Sequence, residues 1–217
     1  MEAARVIEGY HDTRLAHDPR RDTVWKALWR YYFRHRVRPS DTVLDLGCGY
    51  GDFINNVVAK RRIALDLWPG FERHLDEDVE AVVAPVSDLS KIAASVDFAF
   101  ASNLFEHVTQ DEFAAALASL REKLSPDGSL TILQPNYRYA YREYFDDYTH
   151  VSIYSHISLC DFLAANGFEP VEVRPRFLPL TVKSRLPTWS PLIGLYLNSP
   201  VKPLGKQMLV RARPIRR

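Results

Sequence analysis

Short apolar runs alternate with amphipathic stretches along most of the chain. Seven runs are apolar, brief and bounded by turn residues, which is typical of buried strands. They lie at 42–46, 62–67, 81–86, 96–102, 129–135, 167–175 and 205–213. Stretches with apolar residues at helical spacing predict helices. These lie at 24–33, capped by Asp22, at 53–60, at 111–124, at 158–166, with Gly167 as its C-cap, and at 189–198.

Strands that alternate with helices predict an α/β fold with a mostly parallel sheet covered on both faces. Ligands of such sheets bind at the carboxyl ends of the strands, where the strand order reverses. The length of 217 residues suits one domain. We expect an N-terminal helical cap at 1–40, a ligand-binding core at 41–172 and a Pro-rich part at 173–217.

Composition narrows the class of protein. No apolar run approaches the roughly 20 residues that span a bilayer, and the N-terminal stretch MEAARVIEGYHDTRLAHDPRRD lacks an apolar signal core. Two cysteines, Cys48 and Cys160, are too few for a disulfide framework and have no metal-ligand spacing. We expect a cytoplasmic protein.

Charge is distributed unevenly. Ten of the 28 lysines and arginines, and none of the 27 acidic residues, follow Glu172. Such polarity indicates an anionic partner near the C-terminus. A merely solvated basic surface is the alternative.

The stretch VLDLGCGYGDF at 43–53 places Gly47, Gly49 and Gly51 at alternate positions after a buried strand. Glycines there let the backbone turn tightly and approach a ligand closely. The dinucleotide fingerprint G-x-G-x-x-G needs its third glycine one residue later, so a dehydrogenase is disfavoured. A bulky nucleoside with a short charged tail suits this loop better, and Asp45 at the strand's end would attract a cationic ligand.

This stretch resembles the first motif of the Rossmann-like (class I) S-adenosylmethionine-dependent methyltransferases. Further stretches that resemble the family's motifs follow in its order, over most of the chain. They are SNLFEHV at 102–108, LSPDGSLTILQPN at 124–136, DDYTH at 146–150 and GFE at 167–169. The resemblance implies a Rossmann-like, seven-stranded, mostly parallel sheet with an antiparallel last strand, and S-adenosylmethionine as the cofactor.

The resemblance also implies which residues hold the cofactor. Asp66 ends the second strand and would accept from both ribose hydroxyls. The relatives' adenine-binding acid is absent, because Pro85 takes its place, so backbone groups of Val86 and Ser87 or the side chain of Asp88 would bind adenine. Asp88 would equally serve as the N-cap of a helix entering at Leu89. The full set is Asp45, Gly47, Cys48, Gly49, Gly51, Asp66, Leu67, Val86, Ser87, Asp88 and Asn103.

A hydroxyl acceptor calls for a base, and histidine is the natural candidate. We expect His150 to be the base and Asp147 to orient it, with His107 as the alternative catalytic residue. In the competing interpretation FDDYTH is a turn whose side chains bond to their own backbone. No ligand pattern supports a metal site.

Two later segments bear on the acceptor. Tyrosines alternate with Arg138 and Arg142 in 135–145, which would suit a sugar or another polar ring, or pack as a lid on the domain. The connection 174–204 would cover the substrate, form a homodimer contact or lie on an anionic membrane surface, which would place the protein at the inner membrane surface. It resembles the corresponding segment of bacterial methyltransferases that accompany polysaccharide synthesis.

The expected acceptor is therefore a small molecule or glycan precursor, nucleotide- or lipid-linked, methylated at oxygen. Methyl transfer to nucleic acid or protein is an alternative, although SNLF stands at 102–105 where enzymes that methylate base amino groups carry an Asn/Asp-Pro-Pro-aromatic motif. Nucleic acid is thus a disfavoured partner. A fold that binds the cofactor without turnover is the non-enzymatic alternative.

Overall fold

The computed structural model describes residues 18–180 and 189–216, and within them seven strands form one sheet. In chain order the strands are β1 (Thr42–Leu46), β2 (Arg61–Asp66), β3 (Val79–Val83), β4 (Val96–Ser102), β5 (Leu124–Pro135), β6 (Phe168–Pro179) and β7 (Gly205–Pro214). Their order across the sheet is β3-β2-β1-β4-β5-β7-β6.

Strands β1 to β5 are parallel, and β7 runs antiparallel between β5 and β6. Val43 pairs with Arg62 of β2 on one side and with Phe98 of β4 on the other. The chain therefore leaves β1 in one direction and returns to its other side at β4. This reversal is the switch point at which doubly wound sheets bind ligands.

Helices cover both faces of the sheet. In chain order they are α1 (Pro19–Tyr31), α2 (Gln110–Lys123), α3 (Tyr137–Ala140), α4 (His156–Ala165) and α5 (Ser190–Asn198). One face packs on α1 and α5, as shown by Leu28 and Leu197, which share a core cluster with Val43. The opposite face packs on α2 and α4. The predicted fold class, with its antiparallel last strand, is confirmed.

Side-chain caps fix where four of these helices begin, and α1 and α2 are two of them. Thr109 and Glu112 form a reciprocal capping box at the start of α2. At α1 the predicted cap is wrong, since Asp18 rather than Asp22 accepts from the backbone N–H of Arg20, at 3.0 Å. Asp22 lies in the first turn, where its charge still favours the helix N-terminus.

The predicted helix at 53–60 is wrong. Only one 3₁₀ turn forms, at Ile54–Asn56, and the chain extends again at Val57. The side chain of Asn55 reaches out of that turn, donating to the His74 carbonyl at 2.8 Å and accepting from the Asp76 N–H at 3.1 Å. These bonds, and the β-branched pair that follows, favour a turn over a helix.

The third strand also differs from its prediction. It covers Val79–Val83 rather than 81–86. No helix begins at Leu89, because Asp88 accepts from the Ser90 N–H at 2.9 Å and closes a turn there.

The connection from β6 to β7 leaves the sheet at its ligand edge. Since β6 and β5 are both antiparallel to β7, β6 ends on the same side as β1 to β5. The side chain of Gln207 donates to the Leu180 carbonyl at 3.2 Å and to Asn103 Oδ1 at 3.4 Å. The ends of β4 and β6 and the start of β7 therefore meet. Residues 181–188, part of the predicted connection, lie outside the described residues.

Candidate active site

The glycine loop after β1 has a left-handed backbone at all three glycines, with φ of 65° at Gly47, 52° at Gly49 and 71° at Gly51. Other L-residues adopt this region only at a cost. The Gly47 N–H donates to the Leu65 carbonyl at 2.8 Å, which turns the chain back over the end of β2. The alternate glycines are thus required by the backbone itself.

Replacing Gly47 with alanine is expected to destabilise the protein and distort this loop. A left-handed alanine costs about 1–2 kcal/mol, and its Cβ would lie 2.8 Å from the Leu104 side chain. Gly70→Ala is the matched control, because Gly70 also has a positive φ, of 84°, yet its Cβ would meet nothing closer than 3.8 Å. Thermal unfolding of both variants measures the difference, and equal losses of stability would contradict a role for the Leu104 contact.

Asp66 joins the glycine loop to the segment after β2. Its Oδ2 accepts from the Gly49 N–H and its Oδ1 from the Trp68 N–H, both at 2.8 Å. Each carboxylate oxygen has a second acceptor position. Asp66 can therefore hold the loop and still accept from the two hydroxyls of a ribose.

Asp45 is 3% exposed at the end of β1. Burial raises the pKa of its carboxyl well above the usual range, and the neighbouring charges of Asp66 and Asp52 raise it further, against a backbone hydrogen bond from Ile54. Asp52 is paired with Arg21, so Asp45 and Asp66 are the carboxyls here that a cationic ligand would stabilise in their ionised form. S-adenosylmethionine carries a sulfonium and an ammonium, so these residues fit it.

Cys48, inside the loop, is a filler rather than a nucleophile. Burial raises the pKa of its thiol, and the charges of Asp45 and Asp66 raise it further. A thiol of this kind stays protonated and unreactive.

The predicted adenine side is less distinctive. Val86 is buried, the Ser87 carbonyl accepts from the Ser119 hydroxyl at 2.8 Å, and Leu67 is half-buried. The Asp88 carboxylate is exposed, and its hydrogen bonds to Ser90 lower its pKa. Asp88 thus closes a turn, and its proposed contact with adenine stays a prediction.

Sequence reasoning missed an aromatic cluster beside the glycine loop. Tyr50 meets Trp68 edge-on at 5.0 Å between ring centroids, and Trp68 stacks on His74 at 5.4 Å. Trp68 is also the residue whose N–H binds Asp66. Tyr50 lies between Gly49 and Gly51, and Trp68 follows Asp66 by two residues. These positions beside the two cofactor motifs are the signal in the sequence that could have revealed the cluster.

Asn103 lies at the end of β4 with a left-handed backbone, φ 49°. Its N–H donates to the Leu133 carbonyl at 2.8 Å, and its Nδ2 to the Ser102 hydroxyl at 3.1 Å. Strained backbone of this kind clusters at functional sites, and asparagine tolerates it better than most residues. Asn103 therefore lies at the end of β4, between the glycine loop that follows β1 and the end of β5.

A second cluster forms where β4 ends. Asp147 Oδ1 accepts from the Thr149 hydroxyl at 2.6 Å, and Thr149 Oγ1 lies 2.8 Å from His107 Nδ1. His150 Nδ1 lies 2.6 Å from the Tyr144 carbonyl, and the rings of His107 and His150 are 4.8 Å apart. The structure thus brings together all three predicted catalytic residues, His107, Asp147 and His150. It also shows the turn of the competing interpretation, in which Asp147 binds the N–H and hydroxyl of Thr149.

Glu106 completes the cluster. Its backbone carbonyl accepts from Val151 and Ser152, at 2.9 and 3.1 Å, which holds the 150–152 segment against the end of β4. Its side chain is fully buried, and burial raises the pKa of the carboxyl to about 8. Glu106 lies within the stretch SNLFEHV, but the sequence alone predicts no role for it.

Two pKa shifts follow from these contacts. Burial, with a contribution from the nearby His150, lowers the pKa of His107 to about 4. For Asp147 burial acts to raise the pKa, but the hydrogen bonds from Thr149 and the two imidazoles prevail and lower it. His107 is therefore neutral and Asp147 ionised at neutral pH.

The family model described as a methyltransferase domain matches residues 17–173. The chain belongs to this family. The expectation of a Rossmann-like S-adenosylmethionine-dependent methyltransferase, an enzyme of the methyl-transferring class, is confirmed. Among curated proteins, no sequence matches this methyltransferase.

Solved structures with the same fold are numerous but distant in sequence. A SAM-dependent methyltransferase from Archaeoglobus fulgidus is 19% identical, with a TM-score of 0.66 over 94% of this chain and 97% of that one. The CcbJ methyltransferase from Streptomyces caelestis is 14% identical, with a TM-score of 0.65 over 95% and 96%. The 1,6-didemethyltoxoflavin-N1-methyltransferase from Burkholderia thailandensis, solved with bound 1,6-didemethyltoxoflavin and S-adenosylhomocysteine, is 22% identical, with a TM-score of 0.61 over 96% and 84%.

Two further polar side chains of the methyltransferase lie near the end of β5, and sequence reasoning missed both. Gln134 is fully buried and follows Leu133, the partner of Ser102 in β4. Within residues 18–180 and 189–216, neither its amide atoms nor the hydroxyl of buried Tyr154 has a hydrogen-bond partner. Buried polar groups normally find partners. The Tyr154 ring packs in the core against Phe113 and Phe162, so Gln134 is the better candidate for a ligand contact.

In the described part of the chain, three basic side chains of the C-terminal part of the methyltransferase pair with acidic residues of the fold. Glu172 lies 2.7 Å from Arg174 Nε and 3.8 Å from Arg211 Nε, and Glu143 accepts from Lys206 at 2.5 Å. These pairs weaken the inference of an anionic partner from charge alone. Among the described residues, no helix is long and apolar enough to cross a membrane.

Proposed function

We propose that this methyltransferase transfers a methyl group to an oxygen of a small, polyhydroxylated acceptor, a sugar or glycan precursor. The observation that carries the proposal is the cluster of Glu106, His107, Asp147 and His150 at the end of β4, across the switch point from the glycine loop. Its groups are polar, buried or half-buried, and suited to bind and deprotonate a hydroxyl.

The chain's own residues divide the work. S-adenosylmethionine supplies an electrophilic methyl group when bound. Asp66 would hold its ribose, and the glycine loop with Asp45 would accommodate its charged end. Most of the acceleration then comes from alignment of the acceptor with that methyl group, worth about 7–11 kcal/mol in favourable cases.

The orientation of His150 supports a role as base. Because the Tyr144 carbonyl only accepts, His150 Nδ1 carries the proton and Nε2 carries the lone pair. Asp147 does not need to touch His150 for this, since the backbone of Tyr144 sets the ring's tautomer. The predicted role of Asp147 in orienting His150 stays a prediction. The hydrogen bonds described above join Asp147 to Thr149.

The segment after β5 gives partial support to the proposal that the acceptor contains a polar ring. Tyr144 is fully buried and Tyr137 packs edge-on against it at 5.3 Å, which favours the lid interpretation for these two. Tyr141, Phe145 and Tyr148 remain exposed, at 53%, 57% and 65%. Exposed aromatic faces are suited to stack on a sugar.

The β6–β7 connection serves best as a substrate cover. It begins and ends at the ligand edge, where Gln207 joins Leu180 to Asn103. Helix α5 within it packs on α1, and Gly194 lies under the Tyr31 ring, where a Cβ would come within 3.0 Å. The membrane and dimer contacts proposed for 174–204 remain predictions.

The experiment is a radiolabelled methyl-transfer screen against nucleotide sugars and lipid-linked sugars, with products identified by mass spectrometry. We expect a gain of one methyl group on a sugar oxygen, and no product with the Asp66→Ala variant. Transfer only to RNA, DNA or protein would refute the acceptor class. Donor binding with transfer to no acceptor of any class would favour the non-catalytic alternative.

A further inference from the structure

Three side chains that commonly bind metals meet at the end of β4. One donor atom each from Glu106, His107 and His150 lies within 4.8 Å of the others. Glu106 and His107 are adjacent in sequence, whereas His150 arrives through the segment that the Glu106 carbonyl holds in place. Two imidazoles and one carboxylate form a donor set typical of divalent transition metals, rather than of Mg²⁺ or Ca²⁺, which prefer oxygen ligands.

The Glu106 carboxylate is the first independent reason to expect an ion. Its side chain is fully buried, and in the part of the chain that the structure describes neither Oε1 nor Oε2 has a hydrogen-bond partner. A buried carboxyl whose oxygens have no partner is costly to the fold, whether it is ionised or protonated. A cation bound to these oxygens removes that cost.

The hydrogen bonds of the two histidines are the second reason. The hydroxyl proton of Thr149 goes to Asp147, which lies 2.6 Å away. Thr149 Oγ1 must then accept from His107 Nδ1, at 2.8 Å, so the lone pair of His107 lies on Nε2. His150 has the same tautomer, because its Nδ1 donates to the Tyr144 carbonyl.

This arrangement is the outer support that metal-binding histidines usually have. One ring nitrogen donates to a carbonyl or, through a neighbouring group, to a carboxylate, which fixes the ring and leaves the other nitrogen to bind metal. His150 uses the carbonyl of Tyr144, and His107 uses the hydroxyl of Thr149 with Asp147 behind it. The negative charge of Asp147 also helps to balance a divalent ion.

We propose that Glu106, His107 and His150 form a binding site for one divalent transition metal ion, of the Zn²⁺, Mn²⁺ or Co²⁺ class. Three protein ligands leave coordination positions open for an oxygen ligand. The ligand atoms need to draw together slightly from 4.8 Å, since metal–nitrogen bonds are about 2.0–2.1 Å long. The use of the ion to hold an acceptor oxygen rests on the proposed function; the binding itself does not.

The test is metal binding without any acceptor. The full chain is freed of metal with a chelator, and Zn²⁺ and Mn²⁺ are titrated into it by calorimetry, with the absorption spectrum of added Co²⁺ as a second readout of nitrogen coordination. We expect one ion per chain. Glu106→Gln and His107→Gln should abolish this binding, and Thr149→Val should weaken it by about 10- to 100-fold, as the loss of an outer partner does.

Two matched controls separate this site from adventitious binding. His156→Gln and Glu169→Gln remove the same residue types elsewhere, and both should keep the affinity of the unaltered protein. The proposal would be overturned if the protein bound no ion stoichiometrically, or if the Glu106→Gln and His107→Gln variants bound the metal as tightly as the unaltered protein. Circular dichroism and thermal unfolding without metal verify that each variant is folded, and if Glu106→Gln does not fold, His107→Gln and Thr149→Val still decide the matter.

The outcome is independent of the acceptor class. One ion bound per chain, together with failure of every sugar in the methyl-transfer screen, would uphold the metal site and reject the glycan acceptor. Sugar methylation at an unchanged rate in a metal-free protein that binds no ion would uphold the acceptor and reject the metal site.

Discussion

Replacing Asp66 with alanine is expected to weaken the binding of S-adenosylmethionine by about 10²-fold or more, because each hydrogen bond to a charged group contributes about 1.5–3 kcal/mol. Part of the loss is indirect. The carboxylate also accepts from the N–H groups of Gly49 and Trp68, so its removal loosens the glycine loop. Calorimetric titration with S-adenosylhomocysteine measures the effect.

Asp127→Ala is the control for this variant, since Asp127 is an exposed aspartate near the start of β5, away from the carboxyl edge. Its affinity for S-adenosylhomocysteine should equal that of the unaltered protein. The affinity of Asp66→Asn, which keeps one side-chain oxygen, should lie between those of Asp66→Ala and the unaltered protein. A folded Asp66→Ala protein that binds as tightly as the unaltered one would refute the assignment to ribose.

Replacing His150 with alanine is expected to lower kcat by about 10²-fold or more, the typical loss when a positioned base is removed. Donor affinity should stay near normal, because His150 lies on the acceptor side of the switch point. Single-turnover kinetics with a saturating donor separate the chemical step from binding. His35→Ala, at an exposed position after α1, is the control and should retain full activity.

The base and the metal-ligand roles of His150 make different predictions beyond this loss. If His150 is the base, chelation leaves the activity of the unaltered protein intact, and the pH profile of His150→Ala loses a limb. If His150 binds an ion, chelation reduces activity as much as the substitution does. Full activity in the His150→Ala variant would exclude the base role and a catalytic role for the ion, whereas metal titration decides whether His150 binds it.

Where local sequence decides the structure, the predictions succeeded. β1 at 42–46 and β4 at 96–102 form with the predicted bounds, because each is an apolar run with turn residues at its ends. The helix predicted at 53–60 fails, because Asn55 bonds to His74 and Asp76. Those partners lie about twenty residues away in the chain, and no local pattern contains them.

The two halves of the candidate site differ in the same way. The cofactor half could be predicted because its groups lie in two short motifs, the glycine loop and the end of β2. The acceptor half depends on Glu106 and His150, which are far apart in sequence. Backbone hydrogen bonds from Val151 and Ser152 to the Glu106 carbonyl bring them together, and no side-chain pattern encodes a backbone contact.

That backbone contact has a consequence for how substrate choice can change. The contact lies within the acceptor half, since Glu106, Val151 and Ser152 all follow residue 103, whereas the residues assigned to the donor lie at or before Asn103. Mutations in the later half are thus free to retarget the enzyme without disturbing its handling of the donor.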